Sequence, residues 1–121
     1  MATKRQFPKS VRILGETFRV EVVDQTEEVD EDGTSPHGII QFDSRVIKIK
    51  GDLTIRQQYR TLVHEALHAV LAVSGMEELC ASEEVEEGFV RALEHGMCQL
   101  IEQIGPELAI NLVDEYREYP E

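Results

Sequence analysis

TIRQQYRTLVHEALHAVLAVSG, residues 54–75, is where the chain changes period. Thr54 followed three residues later by Gln57 matches a capping box, in which side chain and backbone satisfy each other's donors at a helix start. Ile55, Tyr59, Leu62, Val63, Ala66, Leu67 and Val70 recur at helical spacing and share one face. Gly75 suits the left-handed position that closes a helix. The stretch predicts one amphipathic helix with a defined beginning and end.

Upstream the period is two. Val11 to Leu14 and Phe18 to Val23 flank Gly15-Glu16, and Phe18, Val20 and Val22 alternate with Arg19 and Glu21, as in a half-buried strand. Gly38 to Phe42 and Arg45 to Lys50 read as two further strands around an Asp43-Ser44 turn. Between the pairs lies an acidic loop, residues 24–36, holding Asp24, Glu27, Glu28, Asp30, Glu31 and Asp32, with Asp32-Gly33 and Ser35-Pro36 as turn chemistry. Downstream, Ser82 is an N-cap candidate with acids in the turn after it, where the helix dipole favours them. Val85, Phe89, Val90, Leu93, Met97, Leu100, Ile101 and Ile104 form the apolar stripe of a long second helix. Gly105-Pro106 is expected to end it and to start a short third helix through about Arg117. The expected fold is α+β in one domain, residues 1–121. A strand region, 1–53, forms a small, mainly antiparallel sheet of three or four strands, and a helical region, 54–117, packs against it.

Composition limits the function classes. The chain has 121 residues, 41% apolar and 30% charged, which suits one domain with a modest core. Lys+Arg 12 against Asp+Glu 24 gives a net charge of −12, the wrong sign for a general nucleic-acid or anionic-membrane binder. A local basic group, Lys4, Arg5, Lys9, Arg12 and Arg19, gathers near the N-terminus. The longest strongly apolar stretch, Ala66 to Val73, is far short of a membrane span. No apolar leader segment is visible, and two cysteines, Cys80 and Cys98, make no disulfide framework. A cytoplasmic setting is the expectation.

Within the first helix, His64-Glu65-Ala66-Leu67-His68 is an HExxH motif. Residues four apart stack on one helical face, so both imidazoles reach a single metal ion. Zinc suits neutral imidazole, and a catalytic zinc keeps a water in its open position and pulls that water's pKa toward neutrality. Glu65 stands at the rim of the pair, placed to accept that water's proton and pass it to a leaving group. With four His and eighteen Glu in the chain, chance produces the pattern somewhere in about 2% of such sequences. The bland alternative is two surface histidines with a solvated glutamate between them.

A third ligand is required. Glu77, Glu78, Glu83, Glu84, Glu86, Glu87, Glu94 and His95 are the supply. Glu87 falls nineteen residues after His68 on the next helix, the gluzincin arrangement, and sits at the edge of the apolar stripe. Glu86 lies nearer the centre of that stripe, where a carboxylate must be paired or metal-bound, and Glu83 shares a face with Glu87. Glu87 is preferred, with Glu86 and Glu83 as rivals. Dipole compensation alone accounts for most of the acid run.

The stretches Leu62 to Val70, Ser74-Gly75-Met76 and Glu87 to Leu100 together resemble small zincin-like metallopeptidases common in phages and prophages. These are related in architecture to ImmA/IrrE-like and SprT-like minimal zincins. The resemblance spans about residues 37–104. It implies a zinc site formed by His64, His68 and a glutamate of the second helix, with Glu65 as general base acting on a protein or peptide substrate. One departure is that Glu87 is followed by Gly88 where relatives often carry paired acids.

Other features carry less. Glu28-x-Asp30-x-Asp32-Gly33 resembles the front of a calcium loop, but position twelve is Ile39 and no helices flank it. An oxyanion stabiliser is needed by any working peptidase; Tyr59, Arg91, His37, Tyr116 and Tyr119 are candidates. The rival class is non-enzymatic: a phage-encoded interaction module with a structural or relic zinc site, for which metal binding contributes folding free energy.

Overall fold

The computed structural model describes residues 7–26 and 36–118, with side chains as far as residue 105. Most of the acidic loop, the calcium-loop pattern, Lys4 and Arg5, and the side chains of Tyr116 and Tyr119 lie outside the described residues.

Four strands, β1 (Ser10–Ile13), β2 (Glu16–Val23), β3 (Gly38–Gln41) and β4 (Val46–Lys50), form one sheet in the order β1-β2-β4-β3. The sheet is mixed. β1 pairs antiparallel with β2 and β3 with β4, but β2 and β4 run parallel, with Val20 opposite Ile47 and Val22 opposite Ile49. The expectation of a mainly antiparallel sheet therefore needs correcting at its centre. The chain leaves β2, passes through the acidic loop and returns along the far edge as β3. β4 then enters between β3 and β2 in the same direction as β2. The Leu14-Gly15 hairpin has positive φ at both residues, 50° and 86°, the turn geometry that matches the twist of its strands.

Helix α1 (Ile55–Ser74) begins at the Thr54–Gln57 capping box and ends at Gly75 in the left-handed conformation. It lies on the sheet through Leu62 and Ala69, which join Ile13, Phe18, Val20, Ile47 and Ile49 in the core, with Ala66 and Val73 packed against them. Alternation in β2 and β4 supplies one side of this core and helical spacing supplies the other. α1 also has a second covered side, toward the next helix. For that reason the apolar face read from spacing is only partly buried, and Ile55 and Val70, at its margins, are exposed.

After a 3₁₀ turn (Met76–Leu79), α2 runs as one helix, Glu83–Glu118. The expected break at Gly105-Pro106 and the separate third helix are not there. A proline within a helix removes one ladder hydrogen bond and crowds the carbonyl four residues back. Here strong helix formers on both sides, Glu102 and Gln103 before it and Glu107, Leu108 and Ala109 after it, carry the helix across. α2 is antiparallel to α1, with contacts from Glu86 on His68 to Glu102 on Arg56. Of the apolar stripe, Val90 is buried, but Val85, Phe89, Leu93, Met97, Leu100, Ile101 and Ile104 are exposed. The face α2 turns to α1 carries Glu86, Glu87 and Glu94.

Candidate metal centre

Capping fixes where α1 starts, and helical geometry then stacks His64 and His68 on the side that faces α2. Their rings sit 5.1 Å apart, centre to centre, nearly edge to face. Glu65 is displaced around the helix toward the sheet, and it is buried. His64, Glu65 and His68 bring one ligand atom each within 4.8 Å of one another, a group that can hold a metal ion.

α2 contributes three carboxylates. Glu87 places one oxygen 2.8 Å from His64 Nε2 and the other 2.9 Å from His68 Nε2. Glu86 lies 2.6 Å from His68 Nδ1, and Glu94 lies 3.2 Å from His64 Nδ1. Each imidazole thus has a carboxylate at both ring nitrogens. A neutral imidazole donates from one nitrogen and accepts at the other, whereas an ionised carboxylate only accepts. The arrangement therefore calls for positive charge between the rings and Glu87, either as imidazolium protons or as a bound cation. In the tautomer whose Nδ1–H donates to Glu86 or Glu94, the Nε2 lone pairs are the ones available to a metal.

The local electrostatics agree. Burial by itself would lower the pKa of His68, but its hydrogen bond to Glu86 and the nearby charges of Glu65, Glu87 and Glu86 outweigh it and raise the pKa above 6.5. Burial would raise the pKa of Glu87, yet the charges of His64, His68 and Arg91, with the hydrogen bond to His68, hold it below 4.5.

The carboxylates named as possible third ligands separate by position. Glu87 faces both Nε2 atoms and Glu86 faces a Nδ1. Glu83 and Glu77 line the wider cleft without a polar contact to either imidazole. Tyr59 packs against Phe7, with tilted rings whose centres are 4.8 Å apart, and it does not line the space around the imidazoles. His37 and Arg91 line the space around His64, Glu65 and Glu87, and Arg91 Nε donates to Glu87 at 3.3 Å.

Two features go beyond the sequence reading. Glu94, in sequence one of several acids offered as a third ligand, pairs with His64 Nδ1 and with Arg60. Gly38 begins the edge strand β3 directly over α1. A Cβ there would lie 2.5 Å from Thr61 Cγ2, 3.1 Å from the Lys48 carbonyl oxygen and 3.5 Å from Glu65 Cγ. The absent Cβ is what lets β3 run this close to Thr61 of α1, while the 3.5 Å to Glu65 is ordinary contact. The result is an open cleft of about 680 Å³ between β3 and the helices, lined by Gly38, Ile39, Ile40 and Phe42 on one side and by Glu65, His68, Glu86 and Glu87 on the other.

Among the described residues no helix is long and apolar enough to cross a membrane. No family model matches this chain, and no curated protein or solved structure matches it significantly.

Proposed function

We propose that this chain is a zinc-dependent metallopeptidase, with His64, His68 and Glu87 as ligands and Glu65 as general base. The observation that carries this reading is the carboxylate of Glu87 set between two Nε2 atoms whose Nδ1 partners are already engaged. Two imidazoles and one carboxylate are an ordinary zinc donor set, and three protein ligands leave a position open for water. Zinc, when bound, supplies a Lewis acid that acidifies that water and polarises a substrate carbonyl.

The chain's own residues do the rest. Glu86 and Glu94 hold the two rings in one tautomer and orientation. Glu65, buried beside the imidazoles and lining the cleft, takes a proton from the attacking water as the new C–O bond forms. It then delivers that proton to the departing amine as the C–N bond breaks. His37 and Arg91, on the rim of the same space, are placed to donate to the developing oxyanion. β3 is an edge strand with its first residues at the cleft, so an extended peptide can add to it as a further strand.

The test is hydrolysis of a peptide library by the zinc-loaded protein beside its Glu65→Gln variant. Activity in the wild type and its loss in a variant that still holds zinc support the proposal. Equal hydrolysis by both refutes the role of Glu65. Zinc binding without hydrolysis of any peptide favours the interaction-module reading.

A further inference from the structure

The side of α1 that meets α2 carries Arg56, Arg60, His64 and His68, each four residues after the last. Two guanidiniums thus continue the row of the two imidazoles. Opposite them, α2 sets Glu102 on Arg56, Glu94 on both Arg60 and His64, and Glu86 and Glu87 on His68.

The two arginine pairs differ in where they lead. Glu102 pairs with Arg56 and touches neither imidazole of the motif, and its side chain is 57% exposed. Glu94 is 17% exposed and spans two groups. Its Oε1 lies 3.2 Å from His64 Nδ1, and its Oε2 accepts from Arg60 Nη2 at 3.4 Å. A carboxylate so withdrawn from water needs both oxygens engaged. With Oε2 on the guanidinium, Oε1 is aimed at the ring. Arg60 is held in its turn, because Nη2 lies 3.5 Å from His95 Nδ1, whose lone pair can accept from a group that only donates. His68 is fixed otherwise. Glu86 approaches its Nδ1 at 2.6 Å, and among the described residues no arginine or lysine pairs with Glu86.

We infer that Arg60 is a positioning residue for the metal centre. Through Glu94 it holds the His64 ring with Nδ1 toward α2 and Nε2 toward Glu87 and the metal. This role rests on the proposed zinc site. Arg60 makes no polar contact with His64 and takes no part in bond making. Without it Glu94 keeps one engaged oxygen and can turn, so the His64 ring must be ordered when metal binds, and affinity falls. An exposed arginine–carboxylate pair alone contributes little to stability, so the effect is on the site more than on the fold.

Zinc competition titration and imidazole nitrogen NMR of the full chain test it. Arg60→Met should bind zinc about 10-fold more weakly, the low end of the effect of removing a ligand's own partner, since Glu94 is still present. In metal-free protein at pH 8, His64 should shift from the Nδ1–H tautomer toward the Nε2–H form that free imidazole prefers. Arg60→Lys keeps a donor in place and should lie closer to wild type in both readings. Arg56→Met removes the neighbouring ion pair and should change neither, which separates positioning from a clasp between helices. If Arg60→Met does not fold, Arg60→Gln is read in the same way. Unchanged affinity and tautomer on loss of Arg60, or equal changes on loss of Arg56, overturn the inference. If the wild type takes up no zinc, the proposed function fails. The His64 tautomer then decides the role of Arg60 alone: a shift in Arg60→Met supports it, and no shift overturns it.

Discussion

Glu86 holds His68 by Nδ1 at 2.6 Å, leaving Nε2 for whatever sits between the helices. In the proposed zinc site the contact makes Glu86 a partner of a ligand, whereas Glu87, next in sequence, faces both Nε2 atoms. The two adjacent glutamates therefore have different roles, and their substitutions should separate.

Glu86→Gln keeps the shape and loses the charge that fixes the tautomer of His68. Metal affinity should fall by about 10–100-fold, the usual effect of removing such a partner. Glu87→Gln should lower it further. Competition titration with a chelating indicator measures both, and equal affinities in wild type and Glu86→Gln would contradict the assignment.

The metal-free protein should have a characteristic pH dependence. His68 has a raised pKa in the fold, so its stabilising contribution is complete below 6.5 and is lost as pH rises through the folded value. Glu87 has a lowered pKa, so its contribution is present above 4.5 and is lost as pH falls through the folded value. Together they favour the metal-free fold most between those two values. Zinc bound as proposed would replace the Nε2 protons and remove the need for imidazolium. The gain in Tm on adding zinc should accordingly be larger at pH 8 than at pH 6. Thermal melts with zinc and with chelator at both values measure it, and a larger gain at the lower pH would count against the site.

Gly38→Ala should strain the contact between β3 and α1, because the new methyl meets Thr61 Cγ2 at 2.5 Å. A loss of about 1–3 kcal/mol in unfolding free energy is expected for such overpacking. Thr61→Ser removes that methyl and keeps the hydroxyl, which donates to the Gln57 carbonyl at 2.7 Å, so the double variant should recover part of the loss. Denaturant melts of the three proteins decide it. No recovery would place the strain at the Lys48 carbonyl instead, 3.1 Å from the new atom.

The contrast between α1 and α2 explains how much was legible in sequence. Thr54, Gln57 and Gly75 are local signals, and the structure places them at the helix ends where local rules put them. The alternation of Phe18 and Val20 likewise fixed one buried side of β2. Spacing also showed that α2 has an apolar stripe, but it cannot say what covers one. Phe89 and Leu93 belong to that stripe and are exposed, because α2 turns its glutamates to α1. The parallel pairing of β2 and β4 depends on a long-range return of the chain that no local pattern encodes. In the site, HExxH spacing identified His64, Glu65 and His68 as a group. The different positions of Glu86, Glu87 and Glu94 depend on the rotation of α2 about its axis, and that is set by packing.

The account rests on a metal held by His64 and His68. The most direct measurement is the zinc content of the purified chain by elemental analysis, with His68→Ala prepared alongside. About one zinc per chain, absent from the folded variant, is the predicted result. No zinc after supplying it in excess, or the same content in both proteins, would contradict the account.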